Sequence, residues 1–225
     1  MRDLSTLVAL AERGKALRAS TPLSKRSASA YLRISAAKSG RTALHLYDAI
    51  GEWGVPAREF VAELAGVTGG VDLHLNSPGG DVFDGIAMHA ALVNRGDVNV
   101  FVDGIAASAA SFLAMAGDEI TIEKPAKMMI HNASGIVLGN KRDMREMADI
   151  LDGIDATIAE IYADRTGRPA REWAAAMDSE TWYSSAQAVD AGLADRVAND
   201  SKAKAPEDRR TQLIRARARV ALRGA

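Results

Sequence analysis

The stretch Asp103-Gly-Ile-Ala-Ala-Ser-Ala-Ala-Ser111 decides how this chain is read. An alternating apolar run precedes it, Val98, Val100 and Val102, with the period of two that marks a strand. A run of small residues, Ala109 to Ala116, follows and reads as a helix. Ser108 therefore falls where strand gives way to helix. A helix N-terminus offers backbone N–H groups with no intrahelical partner, and the positive end of the helix dipole. Such groups stabilise the oxyanion that a serine nucleophile creates. The same letters also describe a packed alanine-rich helix with a serine N-cap.

Three other segments bear on that choice. Asn76-Ser-Pro-Gly-Gly-Asp-Val82 ends a strand with Val71, Leu73 and Leu75 on one face and Asp72, His74 and Asn76 on the other. Its paired glycines let backbone approach a ligand and expose N–H groups, although an ordinary strand-to-helix turn reads the same way. Met128-Met-Ile-His131 is an apolar strand ending in a histidine, ahead of a loop from Asn132 to Asn140. A lone histidine is commonly structural, but one at a strand end beside a loop suits a general base. Asp178-Ser-Glu-Thr-Trp182 sets two carboxylates before a short strand, where acids are commonly just solvated.

In this order and spacing the segments resemble the Clp protease proteolytic subunit family. The carrying motifs are Ser77-Pro-Gly-Gly80, Gly104-Ile-Ala-Ala-Ser108, Met129-Ile-His131 and Glu180. Ser184-Ser-Ala-Gln-Ala-Val-Asp-Ala-Gly-Leu-Ala-Asp195 resembles the family's closing motif, with Ser185 in place of its first alanine. The resemblance runs from about Ala43 to Val197. Finer phrases are similar to the phage branch, the ClpP-like head maturation (prohead) proteases: Ile50-Gly-Glu-Trp-Gly54, Gly80-Asp-Val-Phe-Asp-Gly85, Ala106-Ala-Ser-Ala-Ala-Ser111, Ala114-Met-Ala-Gly-Asp118 and Glu180-Thr-Trp182.

The resemblance implies an α/β fold, the ClpP/crotonase-like spiral of β-β-α units, and a serine endopeptidase. Ser108 is then the nucleophile and His131 its base. The backbone N–H groups of Gly80 and Ala109 form the oxyanion hole. Glu180 falls where the family carries aspartate, a departure, because glutamate is one methylene longer. Asp178, two residues away, points to the same side of an extended chain, so either carboxylate could hold the imidazole; Glu180 is favoured. His45 and His74 within strands and His89 within a helix are taken as structural. The resemblance further implies a homo-oligomeric ring, substrates such as capsid, scaffold or portal proteins, and an unfoldase as an optional partner. A housekeeping Clp peptidase subunit, a crotonase-type acyl-CoA enzyme and an inactive assembly protein are the competing readings. The Ser108–His131 pair tells against the acyl-CoA enzyme, and the intact triad candidates tell against the inactive protein.

Composition sets wider bounds. The 225 residues suffice for one α/β domain with a sizeable core. A formal net charge of −1 gives no global field that points to nucleic acid or membrane. With no cysteine, disulfides, thiol catalysis and cysteine-ligated metals are excluded. No metal-binding cluster, phosphate-binding loop or dinucleotide fingerprint is apparent, so no cofactor is expected. The opening residues lack a long apolar core and soon meet Glu12, Arg13 and Lys15, unlike a secretory signal. The apolar run Gly104 to Gly117 is too short to span a bilayer. A cytoplasmic protein is expected, in the host cytoplasm or the assembling prohead if phage-encoded.

Along the chain, residues 1–42 read as a leader, with Leu4, Leu7, Val8 and Ala11 at helical spacing and then a Ser/Ala-rich basic stretch. Residues 43–199 read as the peptidase domain and 200–225 as a basic tail, solvated or tethered to scaffold protein or DNA. Within the domain the pattern alternates strand and helix. Helices are expected over Val82–Asn94, with Ile86, His89, Ala90 and Val93 inward, and over Lys141–Arg165. The second carries a stripe of Met144, Met147, Ala148, Leu151, Ile154, Ile158 and Ile161, buried in the core or shared with a neighbouring subunit.

Overall fold

The computed structural model describes residues 32–36 and 40–199. The sequence expectations for the leader helix and the basic tail fall outside these residues. Eight strands and six helices follow in the order β1 (Leu32–Ala36), β2 (Thr42–Leu46), α1 (Ala57–Gly66), β3 (Val71–Ser77), α2 (Val82–Arg95), β4 (Val98–Ala107), α3 (Ala109–Ala114), β5 (Glu119–Ile122), β6 (Lys127–Ile130), α4 (Lys141–Thr166), α5 (Ala170–Asp178), β7 (Thr181–Ser184), α6 (Ser185–Ala191) and β8 (Arg196–Val197). The strands form one sheet in the order β1-β2-β3-β4-β5-β8, and β6 pairs with both β4 and β7. The pairs β1–β2 and β6–β7 are antiparallel and the others parallel. This is the α/β class that strand–helix alternation implies. Strand β1 lies in the segment read from sequence as leader.

Strand β4 organises the sheet. Its first half, Asn99 to Val102, pairs with β5; its second half, Ile105 to Ala107, pairs with β6. The change of partner falls at Asp103-Gly104. The strand was expected to stop at Val102, yet it continues for five residues. Gly104 permits this, because a Cβ there would lie 2.5 Å from the Asn76 side-chain oxygen. The small residues Ala106 and Ala107 then fill buried positions. The result is a ten-residue strand that delivers Ser108 to the edge of β6.

Alternation builds the core. Leu44 and Leu46, Leu73 and Leu75, and Val98, Val100 and Val102 turn one face of β2, β3 and β4 into fully buried apolar surface. Helix α2 begins at Asp81, whose carboxylate accepts the N–H groups of Phe83 and Asp84, both at 2.9 Å. It buries Gly85, Met88 and Leu92; of the expected stripe, Ile86 is half-buried and packs against the core, His89 is half-buried, and Ala90 and Val93 are exposed. The helix turns this way because Gly85 sits against the Phe112 ring, where a Cβ would come within 2.8 Å. Helix α4 opens with a capping box at Asn140 and Asp143 and closes on Gly167 in the left-handed conformation. Only its C-terminal half is buried, through Ile158, Ala159, Tyr162 and Arg165; Met144 and Ile150 are exposed. Among the described residues no helix is long and apolar enough to cross a membrane.

Burial lowers the pKa of His89 from 6.5 to about 4. The unfolded chain binds the proton near the ordinary histidine value of about 6.5, well before the folded chain does. This share of stability is therefore complete above pH 6.5 and is lost as pH falls toward 4. Urea denaturation at pH 7 and pH ~4.5 should show a smaller loss on acidification for His89→Gln than for the unmodified chain.

Candidate active site

Ser108 stands between β4 and α3 with φ 52° and ψ −125°, a positive-φ conformation that costs a non-glycine residue on the order of 1–3 kcal/mol. Its surroundings impose that geometry. The Ser108 N–H donates to the Met129 carbonyl at 2.9 Å, continuing the β4–β6 ladder by one residue. The Ser108 carbonyl accepts the Ser111 N–H at 2.9 Å and the Ser111 hydroxyl at 2.5 Å. The single Ser111 hydroxyl proton is thereby committed. The buried Tyr162 hydroxyl, 2.7 Å away, must donate to Ser111 Oγ. Helix α4 thus reaches the Ser108 turn through Tyr162 and Ser111.

Gly79 packs against the same turn. At φ 88° it leaves no room for a side chain: a Cβ would lie 2.5 Å from the Ala107 carbonyl oxygen, 2.7 Å from the Ala109 nitrogen and 2.7 Å from the Ser108 Cβ. Beside it, the Ile50 N–H donates to the Gly79 carbonyl at 2.8 Å and the Asp81 N–H to the Ile50 carbonyl at 2.9 Å. This bridge occupies the groups on both sides of Gly80 and turns the Gly80 N–H the other way. Ala109 is the first residue of α3, so its N–H has no intrahelical acceptor. Among the described residues neither N–H meets a backbone carbonyl.

His131 follows the last residue of β6, and its Nε2 lies 2.7 Å from Ser108 Oγ. Both side chains are half-buried. A hydroxyl and an imidazole at this distance can exchange a proton directly. Ser108, His131 and the two backbone donors of Gly80 and Ala109 are therefore set around one turn.

The two carboxylates are placed differently. The β6–β7 ladder ends at the Ile130–Thr181 pair, and His131 and Glu180 are the residues immediately beyond it on the two strands. Glu180 is exposed with φ 43°, and its Oε1 accepts from Trp182 Nε1 at 3.3 Å. Asp178 accepts from Asn132 Nδ2 at 3.4 Å. Among the described residues neither carboxylate hydrogen-bonds His131. The sequence reading missed a third acid, Asp155 on α4, which accepts the Ala133 N–H at 2.6 Å, two residues beyond His131. Burial holds the Asp155 carboxyl above its ordinary range, while the Ala133 hydrogen bond and the charge of His131 pull the other way. Asp155 on a helix reads as surface charge; only the folded loop brings it to Ala133, two residues from His131.

Comparison with known proteins identifies the scaffold. A family model described as Clp protease matches residues 58–201, and the chain belongs to that family. It is 36% identical over 129 residues to the ATP-dependent Clp protease proteolytic subunit of Pleurastrum terricola, covering 56% of this chain and 66% of the relative. The Chlorella vulgaris subunit of the same name is 32% identical over 136 residues, covering 59% and 68% respectively. Proteolytic subunit 1 of Prochlorococcus marinus is 31% identical over 130 residues, with 56% and 66% covered. The match thus spans about two thirds of the length of these relatives.

Gly69 supplies a control for the Gly79 contact, because its φ of 76° is similar and nothing lies within 4 Å of its Cβ position. Gly69→Ala should cost about 1–2 kcal/mol, the backbone penalty alone. Gly79→Ala should cost about 1–3 kcal/mol more, since the Cβ must also displace backbone. Urea denaturation of the two variants measures the difference.

Proposed function

We propose that this chain is a serine endopeptidase in which Ser108 attacks, His131 is the general base, and the N–H groups of Gly80 and Ala109 receive the oxyanion. The observation that carries this is the 2.7 Å contact between Ser108 Oγ and His131 Nε2 on a strained strand-to-helix turn. Ser108 Oγ bonds to the substrate carbonyl carbon as its proton passes to His131. The imidazolium then protonates the leaving amine, and a water activated by the same imidazole releases the acyl group. The third role falls to Glu180, supported by its place immediately beyond the end of the β6–β7 ladder, where His131 also lies. Asp178 has no such position.

The substrates proposed are phage assembly proteins, scaffold, coat or portal-associated, cleaved during head maturation. Support comes from sequence phrases such as Gly80-Asp-Val-Phe-Asp-Gly85 and Glu180-Thr-Trp182, which are similar to that branch. A second reading, a proteolytic subunit fed by an ATP-dependent unfoldase, is supported by the names of the relatives. Either way the active form is proposed to be a closed homo-oligomer. Met144 and Ile150 on the uncovered half of α4, with Ile136 and Leu138 on the preceding loop, present apolar surface suited to a second copy.

Co-expression with neighbouring coat and portal proteins, read by intact mass, separates the two substrate readings. Cleavage without an unfoldase supports the first; dependence on ATP and an unfoldase supports the second. Ser108→Ala and His131→Ala should each lower turnover on the order of 10⁶-fold, because the pair acts as one unit. Undiminished cleavage by Ser108→Ala would contradict the mechanism. Glu180→Gln should lower turnover about 10³–10⁴-fold, with Asp178→Asn and Asp155→Asn much milder; the reverse ranking would transfer the orienting role. Light scattering of the full chain should give an oligomer at micromolar concentration, and a fully active monomer would refute the assembly.

A further inference from the structure

On the half-exposed face of the sheet, three adjacent strands bring together side chains that no step of the proposed mechanism uses. The register pairs His45 of β2 with His74 of β3, and His74 with Phe101 of β4. The three rings stack in a row, with centroids 4.6 Å apart for His45–His74 and 4.8 Å apart for His74–Phe101. Asp103 lies two residues beyond Phe101 and so points to the same face. Its Oδ2 lies 2.9 Å from His74 Nδ1 and also accepts the Tyr47 hydroxyl. Tyr47 is itself two residues beyond His45, and its ring meets His45 edge-on at 5.6 Å.

We propose that His45, His74 and Asp103 form a binding site for one divalent transition cation of the zinc type. One ligand atom from each of the three residues falls within 4.8 Å of the others; because the two imidazoles are stacked, one ring must turn out of the stack for both nitrogens to face a single ion. Two imidazoles and a carboxylate make a borderline donor set, suited to zinc, cobalt or nickel and a poor match for calcium or magnesium, which prefer oxygen. Neighbours support the set. Phe101 covers one face of the His74 ring, and the Tyr47 hydroxyl holds the carboxylate by donating to its Oδ2, as groups outside a metal's ligand shell do. All three ligand residues are half-buried, which gives an ion access and leaves room for water as a fourth ligand. Periodicity and motif do not reveal the site, since His74 and Asp103 are 29 residues apart and meet only through strand register.

A bound ion would clamp β2, β3 and β4 on the face opposite the helices. Asp103 sits where β4 changes partner and five residues ahead of Ser108. The site is nonetheless separate from the proposed catalytic pair.

The full chain, stripped with chelator, should be titrated with Zn²⁺ by calorimetry and with Co²⁺ by visible absorption. One equivalent should bind with a dissociation constant of about 10 μM or tighter, giving cobalt d–d bands of a low-coordinate nitrogen–oxygen site. His45→Gln and His74→Gln should each weaken binding at least ~10-fold, and His131→Ala should leave it unchanged. Circular dichroism verifies that each variant is folded. Should either glutamine variant unfold, the stoichiometry and cobalt spectrum of the unmodified chain decide the matter. Absence of saturable binding below ~1 mM, binding that survives His74→Gln, or binding that is lost with His131→Ala would each overturn the proposal.

Discussion

The rest of the site depends on a single strained residue. Ser108 adopts φ 52° at the end of a ten-residue strand, and several independent contacts hold it there. Gly79 presses backbone against it, Met129 takes its N–H, and Ser111 takes its carbonyl. Strain of about 1–3 kcal/mol persists only where surroundings over-determine it. What it achieves is exposure: Oγ leaves the sheet toward His131 while, among the described residues, the first N–H of α3 meets no backbone carbonyl. A relaxed residue at this corner would either continue the strand or enter the helix, and would lose one of those two relations.

The strand that carries Ser108 links the parts of the fold. Helices α2 and α3 meet through Gly85 and Phe112, and α4 reaches the turn by way of Tyr162 and Ser111. The change of partner at Asp103-Gly104 lets β6 lie along the last residues of β4, which is what brings His131 alongside. Core packing and site geometry are thus one constraint. Buried alanines at 106 and 107 keep the sheet thin where the helix begins.

Much of this was legible in the letters because it is local. The alternation of Val98, Val100 and Val102 and the small-residue run after Ser108 mark a strand-to-helix corner, and Met128-Met-Ile-His131 marks a histidine at a strand end. What was misread depends on partners distant in sequence. The buried face of α2 is chosen by Phe112, 27 residues from Gly85, so Met88 and Leu92 face inward where the periodicity admitted Ala90 and Val93. The apolar stripe of α4 is continuous in sequence but only half covered, because the core ends near Ile154. Asp155 beside the His131 loop, and the His45–His74–Asp103 cluster, need a folded chain to be seen at all. The carboxylate partner of His131 was open in the sequence between Glu180 and Asp178. The proposal gives the role to Glu180, whose hydrogen bond in the structure is to Trp182.

The central claim is that the strained turn makes Ser108, and no other serine, reactive through His131. Stoichiometric treatment with a fluorophosphonate, followed by intact-mass and peptide mapping, tests it most directly. The account predicts one adduct per chain, on Ser108, absent when His131 is replaced by alanine. An adduct on the neighbouring Ser111 or Ser77, or labelling of Ser108 at an unchanged rate without His131, would contradict it.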